Sequence, residues 1–224
     1  GLRLGGRGHR PGHGHRLQRR QQPADGRRRQ RREIVAWDGI WAETAAGERA
    51  RVFCGNDYLG LSQDPRLVAA QREALARYGA GSTASQHVCG YSSEQAQLEQ
   101  ELAQALAVER VLVGGSGYAM NSGALAVLAT EADTIFSDAL NHASLIDGCR
   151  LSRAQVQRYP HLDLGRLEQL LAASEADLNW VVSDAMFSMD GDCAPLPELL
   201  ALARRHEALV YLDDAHGFGW ASEG

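Results

Sequence analysis

Four short polar clusters stand where the chain passes from an apolar, β-rich run into a helical pattern, and each brings a different chemistry. Gly114-Gly115-Ser116-Gly117-Tyr118-Ala119-Met120-Asn121 follows the apolar triplet Val111-Leu112-Val113 and opens a strongly apolar stretch from about Tyr118 to Leu128. Amides in such a turn converge on the positive end of a helix dipole, which suits a phosphate. It is a weak dinucleotide fingerprint, because Met120 stands where G-x-G-x-x-G needs its third glycine, and a plain tight turn is the competing reading. Asp213-Asp214-Ala215-His216-Gly217 closes the run Leu209-Val210-Tyr211-Leu212, so its acids project from the carboxyl end of a strand. Open α/β sheets bind ligands at that edge. A carboxylate there holds a cation, either a metal ion or a protonated ring nitrogen, or it merely caps a loop. No other His or acid lies at a ligand spacing nearby, and no metal is expected. Ser188-Met189-Asp190-Gly191-Asp192 puts a hydroxyl at the same edge, with an Asx-rich turn as the alternative and no G-x-S-x-G elbow. His142, in Asn141-His142-Ala143-Ser144, starts a helix just past a strand ending near Ser137; it is a structural residue or an imidazole on the ligand edge.

To bring these four groups to one rim, strands and helices must alternate behind them, and from about residue 50 they do. Asp64-Pro65 gives an N-cap and a first-turn proline, Leu67, Val68, Leu75 and Tyr78 trace an apolar stripe, and Gly79 gives a stop. Ser92 with Gln95 forms a capping box, and Leu98, Leu102, Ala105 and Leu106 continue a helix from about 93 to 107. Val111 to Val113 reads as a short buried strand. Further strands are expected at Thr134 to Ser137, Gln155 to Tyr159, Trp180 to Ala185 and Ala208 to Asp213, with helices near 142 to 150, 164 to 173 and 196 to 206. The fold class is α/β, a mostly parallel sheet flanked by helices.

Composition agrees: 224 residues, 44% hydrophobic and 23% charged, suffice for one sizeable core. No stretch approaches the roughly 18 to 20 apolar residues of a membrane span, and no apolar signal region opens the chain, so a cytoplasmic protein without a membrane partner is expected. Cys54, Cys89, Cys149 and Cys193 lie far apart with no C-x-x-C pair and read as buried free thiols. There is no lysine; all 23 basic residues are arginine, so neither a Walker A loop nor a lysine Schiff base can form within these residues. Residues 1–32 hold 11 Arg against one acid, Asp25, while 33–224 hold 12 Arg against 27 acids. The Gly/Arg/His arm has too few apolar residues to order itself. Its charge permits a nucleic-acid arm and His13 with His15 a weak metal site, but a flexible extension is the simpler reading and no nucleic-acid partner is expected. The chain thus divides into an arm (1–32), an N-terminal segment (33–63) and an incomplete large domain (64–224), which stops at Ser222-Glu223-Gly224 without a closing helix and reads as truncated.

Six blocks, in this order, resemble the pyridoxal-phosphate-dependent α-oxoamine synthases: Asn56-Asp57-Tyr58-Leu59-Gly60-Leu61, His87-Val88-Cys89-Gly90-Tyr91, Ser116 to Asn121, Asn141-His142-Ala143-Ser144-Leu145, Phe187 to Asp192, and Asp213 to Gly217. The resemblance implies the large domain of a fold-type-I pyridoxal-phosphate transferase. It implies that Gly117 and Tyr118 give amides to the cofactor phosphate, His142 stacks on the pyridine ring, Ser188 and His216 bond its 3-oxygen and Asp213 pairs with its nitrogen. Blocks 87 to 92 and 213 to 217 favour the member that condenses L-alanine with a pimeloyl thioester, on coenzyme A or a carrier protein, to a biotin precursor. Glycine C-acetyltransferase or another α-oxoamine synthase is the alternative; a non-catalytic fragment binding a phosphorylated ligand or a partner is the alternative of another class. Family members are homodimers, which implies a dimer for the full-length protein. The family's Schiff-base lysine has no counterpart here, and its substrate-contacting arginine has several registers in Arg27 to Arg32.

Overall fold

The computed structural model describes residues 31–219, in two compact units that divide between Gly55 and Asn56. The arm up to residue 30, with His13, His15 and most of the Arg27 to Arg32 run, and the chain end at 220–224 lie outside the described residues.

The first unit is an antiparallel meander of β1 (Ile34–Asp38), β2 (Trp41–Thr44) and β3 (Arg49–Arg51), which the sequence expectation left as an undivided segment. A two-residue loop joins β1 to β2, and Gly39 takes φ 54° there, which an L side chain resists. Arg49 and Arg51 both place their guanidinium 5.0 Å from the Trp41 ring, a cation–π pairing across the meander.

The second unit opens with α1 (Pro65–Tyr78) and α2 (Ser93–Ala105). Their starts are as expected: Asp64 accepts the Arg66 N–H at 2.8 Å and Ser92 Oγ accepts the Gln95 N–H at 3.2 Å. Their apolar stripes are not in a core, since neither helix buries a residue and Leu67, Leu75, Leu98 and Leu106 are exposed. The strand expected at Val111 to Val113 is not formed. The Val113 N–H donates to Glu99 Oε1 at 3.0 Å and its carbonyl accepts from Gln86 Nε2 at 3.1 Å, so side chains take the groups a neighbouring strand would have used. The expectation of buried thiols is also corrected. Cys149 is buried at the core, whereas Cys54, Cys89 and Cys193 are exposed, because none of the three sits on a core-facing helix or strand position.

From residue 117 onward the alternation is regular: α3 (Gly117–Leu128), β4 (Asp133–Asp138), α4 (Ala143–Leu151), β5 (Gln155–Tyr159), α5 (Leu164–Ala172), β6 (Leu178–Asp184), α6 (Leu196–Arg205) and β7 (Leu209–Asp213). The strands form a wholly parallel sheet in the order β5-β4-β6-β7. Successive strand side chains point to opposite faces, which sorts the core into two layers. Ile135, Trp180 and Val182 meet Leu125, Leu145 and Cys149 of α3 and α4; Phe136, Val181 and Tyr159 meet Leu167, Leu171, Leu199 and Leu202 of α5 and α6. After β4 the chain adds β5 on one side and then β6 on the other, so the connections diverge at the carboxyl ends of β4 and β6 and leave a crevice there.

One glycine governs how close α3 and α4 come. A Cβ on Gly148 would lie 2.6 Å from the Asn121 carbonyl oxygen and 2.9 Å from Leu125 Cδ1, and the first of these is backbone that cannot rotate away. Gly148→Ala should therefore force the helices apart at a cost of roughly 1 to 3 kcal/mol, lowering the melting temperature of the complete protein by about 1 to 4 °C. A melting curve superposable on that of the unmodified protein would contradict this packing.

Candidate active site

β7 ends on Asp213, and its half-buried carboxylate is held from two sides. Oδ1 accepts the Ala215 N–H at 2.9 Å, while Oδ2 accepts from Asn121 Nδ2 at 2.6 Å, across to α3. Asn121 is buried, and Tyr211 O–H donates to its Oδ1 at 2.9 Å. Burial, and then the charge of Asp213, raises the Tyr211 phenol above its ordinary range, so it remains a donor. That fixes the amide with Oδ1 toward Tyr211 and Nδ2 toward Asp213 and Ser144 Oγ, the latter at 3.0 Å. A carboxylate has about four lone-pair sites, so Asp213 caps its turn and still has capacity for a donor arriving at the rim.

The next strand in the sheet brings a second acid, for Asp184 on β6 pairs in register with Asp213. Its Oδ2 accepts the His142 N–H at 2.6 Å, and its own N–H donates to Asn141 Oδ1 at 3.0 Å. Asn141 Nδ2 also donates to the Val182 carbonyl at 2.8 Å and to Ser137 Oγ at 3.0 Å, which staples β4 to β6 at the crevice. His142 Nδ1 accepts the Ser144 N–H at 3.2 Å, so the imidazole caps α4 at the carboxyl side of the sheet.

Burial pushes the Asp184 carboxyl up to about 6, with the Asp213 charge adding to the rise and the His142 N–H opposing it. The folded protein therefore binds a proton here more readily than the unfolded chain does. Its contribution to stability is fully present below the ordinary carboxylate range near 3.8 and is lost as the pH rises through about 6. Asp184→Asn should remove about 2 to 3 kcal/mol of that pH dependence. Urea unfolding of the complete apoprotein at pH 4 and 6.5 measures it; an unchanged slope of stability against pH in the variant would show that Asp184 titrates normally.

His142, Asp184, Phe187 and Ser188 line a cavity of about 250 Å³ at this crevice. Ser188 reaches it from the tip of a tight hairpin and is exposed. His216 lies just past β7, and its Nδ1 is 2.7 Å from Tyr58 O–H, which ties the Asp57-Tyr58 block to the rim. Gly117 and Tyr118 form the first turn of α3 behind the N-cap Ser116, and Tyr118 O–H donates to Asp147 of α4. Nothing lies within 4 Å of where a Gly117 Cβ would stand. The structure thus brings every predicted residue to the carboxyl side of the sheet or to a helix start beside it. Sequence reasoning missed Asn121, Asn141 and Asp184 as functional positions. Asn121 and Asn141 lay within the quoted blocks, but the partners that single them out, Asp213 and Asp184, come beside them only in the fold. A larger open groove, about 360 Å³, lies at the other end of the strands near Asp133 and Gln155 and has no comparable convergence of groups.

Residues 51–223 match the family described as aminotransferase class I and II. Curated relatives include 8-amino-7-oxononanoate synthase 1 of Polaromonas sp., 51% identical over 86% of this chain and 47% of the relative, and 8-amino-7-oxononanoate synthase of Bordetella petrii, 55% identical over 79% and 46%. The chain therefore spans about half the length of the curated relatives it matches. Among solved structures, serine palmitoyltransferase of Sphingomonas wittichii superposes with a TM-score of 0.81 at 33% identity, covering 85% of this chain and 48% of that one. A serine palmitoyltransferase of S. paucimobilis, solved with a pyridoxal-phosphate adduct, gives 0.77 at 30% identity over 81% and 46%. 8-Amino-7-oxononanoate synthase of Francisella tularensis gives 0.60 at 29% identity over 72% and 44%. The match over residues 51–223 and the superposition on these enzymes place the chain in the aminotransferase class I and II family, with the fold-type-I architecture of pyridoxal-phosphate enzymes.

Proposed function

We propose that the whole protein is an 8-amino-7-oxononanoate synthase, condensing L-alanine with a pimeloyl thioester and releasing carbon dioxide and the free thiol. The observation that carries this reading is the likeness to 8-amino-7-oxononanoate synthases at 51% and 55% identity, and the Asp213 carboxylate held by Asn121 at the rim suits the cofactor it implies. The residues present fit pyridoxal phosphate. Amides at Gly117 and Tyr118 would hold its phosphate on the positive end of α3. His142, locked by Asp184 and Ser144, offers its ring face, and Ser188 and His216 offer polar atoms for the 3-oxygen. Asp213 favours a protonated ring nitrogen by opposite charge. When bound, the cofactor supplies an electron sink for the pair left by the broken alanine Cα bond. The chain's contribution is to hold that ring flat and its nitrogen charged, because both Asp213 oxygens and the His142 backbone are already fixed before anything binds.

The Schiff-base lysine must come from residues other than these 224. The acyl group arrives on coenzyme A or on a carrier protein. The exposed apolar residues of α1 and α2 support a homodimer of the whole protein, and no helix among the described residues is long and apolar enough to cross a membrane, in keeping with a cytoplasmic enzyme. The lack of any lysine favours a second reading for the chain by itself, a non-catalytic piece that holds a phosphorylated ligand at the rim. Product analysis of the complete protein decides the substrate. L-alanine with pimeloyl-CoA or pimeloyl carrier protein should give 8-amino-7-oxononanoate at least tenfold faster than glycine with acetyl-CoA gives 2-amino-3-oxobutanoate. The reverse order would reassign the protein to glycine C-acetyltransferase.

A further inference from the structure

The hairpin that presents Ser188 is held by a cluster none of the roles above uses. Residues 185–194 close on themselves through Ala194 N–H to the Ala185 carbonyl at 2.9 Å, Phe187 N–H to the Asp192 carbonyl at 2.9 Å and Gly191 N–H to the Phe187 carbonyl at 2.8 Å. The tip has little else to fix it, as Ser188, Met189 and Asp190 are all exposed. On its inner side stands His161, from the loop between β5 and α5. Its ring meets Phe187 edge-on with centroids 4.4 Å apart. Its Nε2 lies 2.8 Å from Asp192 Oδ2 on the hairpin, and its Nδ1 lies 2.9 Å from Asp138 Oδ1 at the end of β4. Asp138 is 1% exposed and also accepts the Leu140 N–H at 2.8 Å and the Leu162 N–H at 2.9 Å, so it is a fixed anchor.

Two carboxylates facing the two nitrogens of one imidazole decide its state. Only the imidazolium can donate to both; the neutral ring would set a lone pair against a carboxylate oxygen. Burial works against that charge, but the bonds to Asp138 and then to Asp192 outweigh it, and the His161 pKa is raised. The other Asp192 oxygen, Oδ1, is buried without a hydrogen-bond partner, which leaves the imidazolium as the donor this carboxylate is built to meet. Removing the ring would leave the buried Asp138 without its counter-charge and the hairpin without its tie to the sheet.

We infer that His161 is a positioning residue, a charged strut from β4 to the 185–194 hairpin that sets where the Ser188 hydroxyl stands. The inference rests on the reading that Ser188 meets the cofactor, and the two can fail separately. In the complete protein without cofactor, His161→Ala should speed amide hydrogen exchange at Phe187, Gly191 and Ala194 at least tenfold. Asp192→Ala, on the exposed side of the pair, should do the same if the first variant folds poorly, while Ser188→Ala should leave those amides protected. With pyridoxal phosphate as the probe, His161→Ala and Ser188→Ala should each weaken binding by a similar factor, and the double variant by no more than either. Nitrogen NMR of the unmodified protein at pH 7 should find both His161 ring nitrogens protonated. Protection within twofold of the unmodified protein in both strut variants, or a neutral imidazole, would overturn the inference. Lost protection with unchanged cofactor affinity would uphold the strut and remove Ser188 from the cofactor site instead.

Discussion

Asp213→Asn in the complete protein should keep pyridoxal phosphate bound while turnover falls about 10²- to 10³-fold, a loss of roughly 3 to 4 kcal/mol in transition-state stabilisation. The amide is nearly isosteric with the carboxylate. It can keep the Ala215 N–H on its oxygen, as Asp213 Oδ1 does at 2.9 Å, but its NH₂ must then face Asn121 Nδ2, donor against donor. The variant therefore loses charge and gains one polar mismatch, and both act on the same atom of the site. Donating to an unprotonated ring nitrogen still allows the cofactor to dock. What would disappear is the negative charge proposed to keep the nitrogen protonated, and with it the withdrawal of electrons from the bond being broken. Exchange of the alanine α-hydrogen with solvent deuterium isolates that step from attack on the thioester. Exchange near the unmodified rate would mean that Asp213 serves only as the cap on residues 213–215.

A second result is all-or-none. The 224-residue chain mixed with pyridoxal phosphate and borohydride should carry no cofactor fixed covalently to any internal residue, because it contains no lysine amine with which to form the imine. The phosphate contacts proposed at α3 and the ring contacts proposed at His142 and Asp213 involve no covalent bond and would not depend on that lysine. Peptide mass mapping reads the outcome, and a reduced adduct on any residue after Gly1 would contradict it.

How much of this was legible beforehand follows from how local each signal is. Asp64-Pro65 and Ser92-x-x-Gln95 announce their helices because a cap contacts an amide only two or three residues away. The rim was legible for a similar reason: parallel strands read as short apolar runs, so whatever follows each run stands at the same edge. Val111 to Val113 has the same apolar character, yet a strand exists only where another pairs with it, and its polar groups went to Glu99 and Gln86 instead. The stripe on α1 correctly signalled a helix yet none of its residues is buried, since periodicity reports a face and not what covers it. The meander had a usable local signal in Asp38-Gly39 between alternating residues, which went unused. Asn121 and His161 were beyond reach for a different reason. Their partners, Asp213 and Asp192, lie 92 and 31 positions away, and a buried amide or imidazole declares its purpose only once those distances close.

Asp213 is proposed to set the protonation of the cofactor ring, and the nitrogen NMR shift of pyridoxal phosphate labelled at the pyridine nitrogen, bound to the complete protein, reads that protonation. A pyridinium shift is expected in the unmodified protein and a neutral-pyridine shift in Asp213→Asn at the same pH. The same ring protonation in both proteins would contradict it.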